Sequence, residues 1–427
     1  MKTRSFAFLF CLAPIGLTAT VAIAQQAPAY SRTNDTTMDS STASTTQQDL
    51  KPMWVDAAVN PREQSYFDAG LSASYGRDSA VNNIPNLSSQ FSNLQGHIGI
   101  ASVGRRFSSA FSHDATILQF PGSNLDLQQY HWTTVSLNGI ASRRTTWGLT
   151  GANAYGADSA RASSSLSLSS VSNTPIDNGT VQAGLISGNV LRQYVNFVVD
   201  HELSETRAFT FGANAGFHNF LGAAPSTQQY NVNMAVRQYF GPHVLAGIRG
   251  DGVRQNFGIG QCTTAAVTAF TTVQLTESLR ADGSAGPVFG SAQCTGNYQY
   301  QGVLSAQSVR GSRVYIGTSR KRGNGAISGS LWETSGYGGV RLGNPRRFTV
   351  DVNSGYTSYH GGTLTAASSD VSGYFVSGEY RRRLSQYLEW DFTVRHFQRT
   401  VSSVDLARTV FFVTFTWSKQ HGGAYGR

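Results

Sequence analysis

The sequence predicts an all-β protein: a transmembrane antiparallel up-and-down β-barrel of about 16 strands, with short turns at one rim and long loops at the other. Three observations predict it. Apolar and polar residues alternate with period 2 along most of the chain. Only 13% of its residues are charged, about half the share in a typical soluble domain. The gaps between alternating runs go long, short, long, short. Gly is abundant at 45 residues, and no long apolar run follows the first 24 residues. A bundle of membrane helices is therefore excluded, and dispersed apolar residues in strands fit better.

The elements follow in order. MKTRSFAFLFCLAPIGLTATVAIA has Lys2 and Arg4, an apolar stretch, and Ala22-Ile23-Ala24 as a small-residue cleavage site. It reads as a secretory signal peptide over 1–24. Residues 25–64 are rich in Ser, Thr, Gln and Asp without periodicity, so they cannot bury a core and read as a flexible leader. The barrel is expected over 65–418, with a C-terminal tail at 419–427.

Strands are expected at 66–75, 94–103, 106–120, 129–142, 143–156, 188–201, 204–218 and 228–240. The second half adds 243–258, 297–309, 311–322, 331–342, 345–359, 370–384, 385–399 and 406–418. The stretch RLGNPRRFTVDVNSGYTSYH shows the pattern in miniature. After a corner at Gly343-Asn344-Pro345, Phe348, Val350, Val352 and Tyr356 share one face, and Thr349, Asp351, Asn353 and Thr357 the other. A soluble sandwich would turn the apolar face to a core. A membrane barrel would turn it to lipid. A sandwich gives no reason for loop lengths to alternate, whereas an outer-membrane barrel does, and an even strand count leaves both termini on the short-turn side.

The long gaps include 157–187 and 259–296, and the second of these carries Cys262 and Cys294. With Cys11 removed in the signal peptide, this even pair in an exported chain suggests a disulfide; two separate thiols in one loop are the alternative. Arg gathers at the short corners: Arg105 and Arg106, Arg143 and Arg144, Arg207, Arg310 and Arg313, Arg346 and Arg347, Arg381 to Arg383. These either reach lipid phosphates or are solvated turn charges. The net charge of +9 is spread over many turns rather than along one groove, which argues against nucleic acid as a partner.

Alternation puts Arg192, Asn196, Asp200, Arg237, Arg249, Asp251, Arg313, Asp351, Asn353, Glu379, Glu389, Asp391, Arg395 and Arg399 on the inward face. Ionisable groups facing lipid are costly, so these are candidate lumen-lining residues. They either set the field of a pore or pair with one another, and Arg249 with Asp251 fits the second reading. Aromatics near strand ends are expected to form interfacial girdles: Tyr66, Phe120, Tyr130, Phe240, Tyr356, Tyr374, Tyr387 and Trp417.

From YFVSGEYRRRLSQYLEWDFTVRHF at 374–397 to the closing strand LARTVFFVTFTWS, the chain resembles the outer-membrane β-barrel proteins. More loosely it is similar to the barrel porins found with exopolysaccharide export systems. The resemblance covers roughly residues 66–418 and implies outer-membrane lipid and the barrel-assembly machinery as partners. Such barrels usually end on an aromatic residue, whereas this chain continues through KQHGGAYGR. The segment before Tyr66 is short for a transporter plug, an autotransporter passenger or a folded peptidoglycan-binding domain.

No G-x-S-x-G, H-E-x-x-H, P-loop or zinc-type cysteine spacing is present, so no cofactor or metal is implied. His218 falls on an inward face without a nucleophile or orienting partner in sight, which leaves no catalytic set. The expected function is passage of polar solutes, saccharides among them, through a charged lumen. The alternatives are a non-conducting accessory in polysaccharide export, its lumen closed by 259–296, and, less favoured, an outer-membrane enzyme. Assembly as a homo-oligomer is left open.

Overall fold

The computed structural model describes residues 66–421, apart from 82–87, 105, 122–125, 158–188, 221–225, 257–259, 292–293, 295, 309–311, 324–330, 345–346, 361–370, 386 and 402–403. The signal peptide, the leader and residues 422–427 of the tail lie outside the described residues. The first strands are β1 (Tyr66–Asp78), β2 (Ser89–Val103), β3 (Phe107–Gln119), β4 (Gln128–Ser142), β5 (Thr145–Ala157) and β6 (Asn189–Glu202). Next come β7 (Arg207–Phe220), β8 (Thr227–Tyr239), β9 (Val244–Asn256), β10 (Gln261–Gln274), β11 (Leu279–Gly290) and β12 (Asn297–Gln307). The last are β13 (Arg313–Gly323), β14 (Leu331–Asn344), β15 (Phe348–His360), β16 (Val371–Arg383), β17 (Leu388–Val401) and β18 (Val404–His421).

Every strand pairs antiparallel with its chain neighbours, and β1 pairs with β18, so the 18-stranded sheet closes on itself. Closure leaves no unpaired edge. The expected count of about 16 is corrected to 18, because 259–296 is not a loop. It holds β10 and β11, joined through Leu275-Thr276-Glu277-Ser278. The physical reason is weak contrast: Thr and Ala occupy both faces of β10, and β11 carries Gly283, Gly286 and Gly290 and a Pro at 287, which a central strand rarely tolerates. The rim expected to bear long loops is also less uniform than expected. It crosses from β9 to β10 through 257–260 and from β17 to β18 through 402–403. β18 itself runs on to His421, past the expected end at 418.

Side chains on the concave face of a closed sheet converge and bury one another, while those on the convex face diverge. In β15 the inward residues Thr349, Asp351 and Thr357 are buried, and the outward Phe348, Val352 and Tyr356 are exposed. The corner before this strand depends on Gly343, whose φ of 106° suits glycine and whose missing Cβ would lie 2.5 Å from the Phe348 carbonyl oxygen.

One part of the inner wall is apolar. Phe91 (β2), Leu118 (β3), Phe120, Tyr130 (β4), Ala154 and Ala157 (β5), Val410 and Phe412 (β18), and Val81 form a buried cluster at the long-loop rim, with Trp132 packed against it. Phe91 lies 6.4 Å from Phe120 and 6.0 Å from Phe412 between ring centroids. Phe120 and Tyr130, expected in an outer girdle, therefore sit inside; Phe240, Tyr356, Tyr374, Tyr387 and Trp417 are exposed. The cluster spans the seam where the chain's two end strands meet. Arg408 Nη2 donates to Asp78 Oδ2 at 2.6 Å and Arg408 Nε to Asp78 Oδ1 at 3.0 Å. The Ser79 amide donates to the Thr409 carbonyl at 3.0 Å, and the Thr409 amide to Ser79 Oγ at 2.7 Å. Together these fold Ser79, Ala80 and Val81 inward over the seam.

Candidate functional site

The remaining inner wall carries charge, most densely in the half nearest the short-turn rim. The belt starts on β6. Arg237 on β8 donates through Nη2 to Asp200 Oδ2 at 2.7 Å and through Nη1 to Thr210 Oγ1 at 3.1 Å. Thr210 on β7, between them, donates to Asp200 Oδ1 at 2.7 Å. The triad fixes three adjacent strands, and its buried ion pair is held by more than one hydrogen bond, as a desolvated pair requires. On β9, Arg249 Nε meets Asp251 Oδ2 at 2.8 Å, two residues apart on one face.

The segment first read as a loop continues the belt. Arg280 Nη2 donates to Asp282 Oδ1 at 2.6 Å, and Thr272 of β10 donates to the same oxygen at 2.6 Å. On β13, Arg313 lies 5.3 Å from the Tyr315 ring centroid, within cation–π range. Tyr315 Oη then donates to Asn353 Oδ1 at 2.7 Å, reaching from β13 to β15. It does so across Gly339, which is in register with both residues. A Cβ at 339 would lie 2.2 Å from Asn353 Oδ1 and 2.7 Å from Tyr315 Oη, so only glycine leaves room for this bridge.

Arg341 Nε on β14 donates to Asp351 Oδ1 at 2.6 Å, and Asp351 is in register with Glu379 on β16. Arg381 Nη2 meets Glu379 Oε1 at 2.5 Å, and Arg381 Nε approaches Glu389 of β17 at 3.1 Å. Asp391, buried, is in register with Arg381. On β13 to β17, guanidinium groups at 313, 341, 381 and 395 stand against carboxylates at 351, 379, 389 and 391. The wall is thus dense in charge yet balanced. Paired charges interleaved with Tyr, Asn, Thr and Gln present hydrogen-bonding groups to a polar solute without a strong net field.

Of the sequence-derived candidates, the structure brings together Asp200 with Arg237, Arg249 with Asp251, and Glu379 with Glu389 through Arg381. Arg192 lies near the long-loop rim, in register with Ala154 and His218, and Arg395 is in register with Ser377. Arg399 is in register with Gly373 on β16, but its side chain, like that of His218, lies outside the described residues. Sequence reasoning missed Arg341, Arg280 and Asp282, and placed Arg381 among corner arginines that either reach lipid phosphates or are solvated. Arg381 was within reach, because it shares parity with Glu379 on the same strand. The cysteines lie at the opposite rim: Cys262 and Cys294 are joined as a disulfide with Cα atoms 5.7 Å apart, tying the start of β10 to the segment after β11. Among the described residues, no group of three or more His, Cys, Asp and Glu is arranged to hold a metal ion.

Fold and inner wall together define a closed 18-stranded barrel, apolar outside and polar, ion-paired or locally apolar within. No protein-family model matches the chain. No curated protein matches it either. Among solved structures it is similar to the siderophore receptor PirA from Pseudomonas aeruginosa, at 7% identity and a TM-score of 0.45, covering 84% of this chain and 81% of that one. It is also similar to OccAB4 from Acinetobacter baumannii, at 9% identity and a TM-score of 0.47, covering 84% of this chain and all (100%) of that one. Neither likeness reaches a TM-score of 0.5, and neither bears on ligand or activity.

Proposed function

We propose that the protein is an outer-membrane barrel, exported by the signal peptide at 1–24, that gives polar solutes a passage, with saccharides a suitable class. The observation that supports this most is the contrast between its two faces. Large apolar side chains such as Ile248, Val314 and Ile316 are exposed outside, while the inner face of β6 to β17 carries paired charges and hydroxyls. Such an inside suits water and polar cargo, and such an outside suits hydrocarbon. Hydroxyl-rich cargo fits Tyr315, Asn353 and Thr210, whose groups both donate and accept. The role is one of passage rather than catalysis.

Single-channel conductance of the refolded protein in a planar bilayer tests the proposal, after a heat-modifiable gel shift has shown the barrel to be folded. Stable open steps are expected, with weak selectivity between cations and anions because the belt is balanced. Arg381→Gln should then raise cation preference severalfold, since Glu379 and Glu389 lose their shared guanidinium. Unaltered selectivity would remove this belt from the conduction path. The second reading, an accessory barrel in exopolysaccharide export, draws on the inward fold of Ser79 to Val81, which narrows one side of the mouth. It no longer has 259–296 as a plug. A folded but silent barrel selects it.

A further inference from the structure

The stretch YRRRLSQY at 380–387 puts three arginines in a row at the end of β16, and the pleat sends them to different sides. Arg381 faces the lumen between Glu379 and Glu389. Arg383 donates through Nε to the Ser385 carbonyl at 3.1 Å. Arg382 points outward, in register with Phe348 of β15 and Trp390 of β17. It is exposed, and among the described residues its guanidinium has no hydrogen-bond or ion-pair partner.

The other strand arginines of outward parity are held by the protein itself. Arg77 Nη2 donates to Ser88 Oγ at 3.0 Å, Arg207 Nε to Gln238 Oε1 at 2.8 Å and Arg254 Nη2 to Gln261 Oε1 at 3.0 Å. Arg320 lies 5.6 Å from the Trp332 ring centroid. Around Arg382 no such partner is at hand: the carboxylates of β16 and β17, Glu379, Glu389 and Asp391, all have inward parity.

What Arg382 has beside it is an aromatic floor. Tyr380, two residues back on the same face, stacks on Phe348 at 6.4 Å and packs against Trp390 at 5.4 Å between ring centroids. Depth follows from length. β16 has 13 residues, and about 9–11 carry a tilted strand across the hydrocarbon. Arg382 is the last residue but one, beside the turn at 384–387. Its guanidinium therefore reaches headgroup level, with the three rings just inside it.

We infer that Arg382, over Phe348, Tyr380 and Trp390, holds the phosphate of an anionic phospholipid from the leaflet at the short-turn rim. The inference rests on the membrane placement proposed above. A guanidinium without a counter-ion takes two phosphate oxygens at once, and amphipathic rings suit the glycerol and first acyl carbons below. Arg347 is exposed at the same corner, its carbonyl accepting from the Arg383 amide at 3.0 Å. This second positive charge favours an anionic headgroup over a zwitterionic one.

The test uses the full chain refolded in phosphatidylcholine vesicles with a minor fraction of brominated phosphatidylglycerol, or of brominated phosphatidylcholine at the same fraction. Bromine quenches a tryptophan it touches, and Trp390 reports on the site. Phosphatidylglycerol should quench the native chain more strongly, and inorganic phosphate should not reduce that excess. Arg382→Gln should abolish the excess, and so should Trp390→Phe, which removes the reporter. Arg254→Gln, the same loss of charge at the opposite rim, should keep it. Equal quenching by the two lipids in the native chain overturns the inference, as does an excess that survives Arg382→Gln or Trp390→Phe. An excess lost equally with Arg254→Gln also overturns it, because net charge alone would then be responsible. Displacement by inorganic phosphate overturns the lipid as occupant. The heat-modifiable gel shift should be present in every chain. Its absence from the native protein would instead overturn the membrane barrel, and the lipid site with it.

Discussion

Across β2 to β5 the inward face near the long-loop rim holds Phe91, Leu118, Phe120 and Tyr130 in one buried cluster, closed over the seam by Phe412. Across β13 to β17 the inward face near the opposite rim holds Arg341, Asp351, Glu379, Arg381 and Glu389 in a run of ion pairs. Outside, the two regions are alike: Phe111, Val135 and Val195 on β3, β4 and β6 are exposed, as are Val314 and Ile316 on β13. The same period-2 pattern thus serves two arrangements. Alternation says that a strand has two unlike faces, and the partners available on each side decide which face points in.

The comparison predicts different failures on the two sides, each measured as the urea midpoint of unfolding in lipid vesicles. The largest effect is expected from Arg237→Met, which strands Asp200 beside Thr210 in a buried site and should cost about 3–5 kcal/mol. An equal loss from the double variant Arg237→Met with Asp200→Asn, which leaves neither charge behind, would show that lost packing rather than stranded charge is responsible. Leu118→Ala should cost ~3 kcal/mol by opening a cavity in the apolar cluster; a loss under about 1 kcal/mol would mean the cluster collapses freely. Ile316→Arg should cost ~2–4 kcal/mol at mid-bilayer and exceed Asp391→Asn on the inner face. Equal tolerance of the two would reverse the facing assigned to this wall. Smallest among these, Gly339→Ala should cost about 1–3 kcal/mol by overpacking the Tyr315–Asn353 bridge, an effect that Tyr315→Phe in the same chain should reduce.

Sixteen of the 18 strands were legible because their apolar residues are large and their polar ones unmistakable, as in the Phe348–Tyr359 run. β10 and β11 were hidden because Thr and Ala sit on both faces and Gly and Pro interrupt, so alternation had little to register. The candidate site was legible residue by residue but not as a network. Facing follows from parity within one strand, whereas pairing depends on register between strands, which a single sequence does not reveal. Arg341 meets Asp351 and Arg280 shares Asp282 with Thr272 only because those registers hold. Phe120 and Tyr130 were misplaced for a related reason: an aromatic near a strand end looks alike whether it is to meet lipid or the seam.

The bond between Cys262 and Cys294 bears on that weakness of specification. β10 and β11 are the strands whose own side chains least dictate how they align, and a slip of one residue would swap Thr264, Ala266 and Thr268 with their outward neighbours at little penalty. A covalent tie across the hairpin, 32 residues apart in sequence, removes that freedom. Export as proposed above would carry the chain into oxidising conditions, and the tie supplies, as chemistry, the information about alignment that the hairpin's amino acids do not encode.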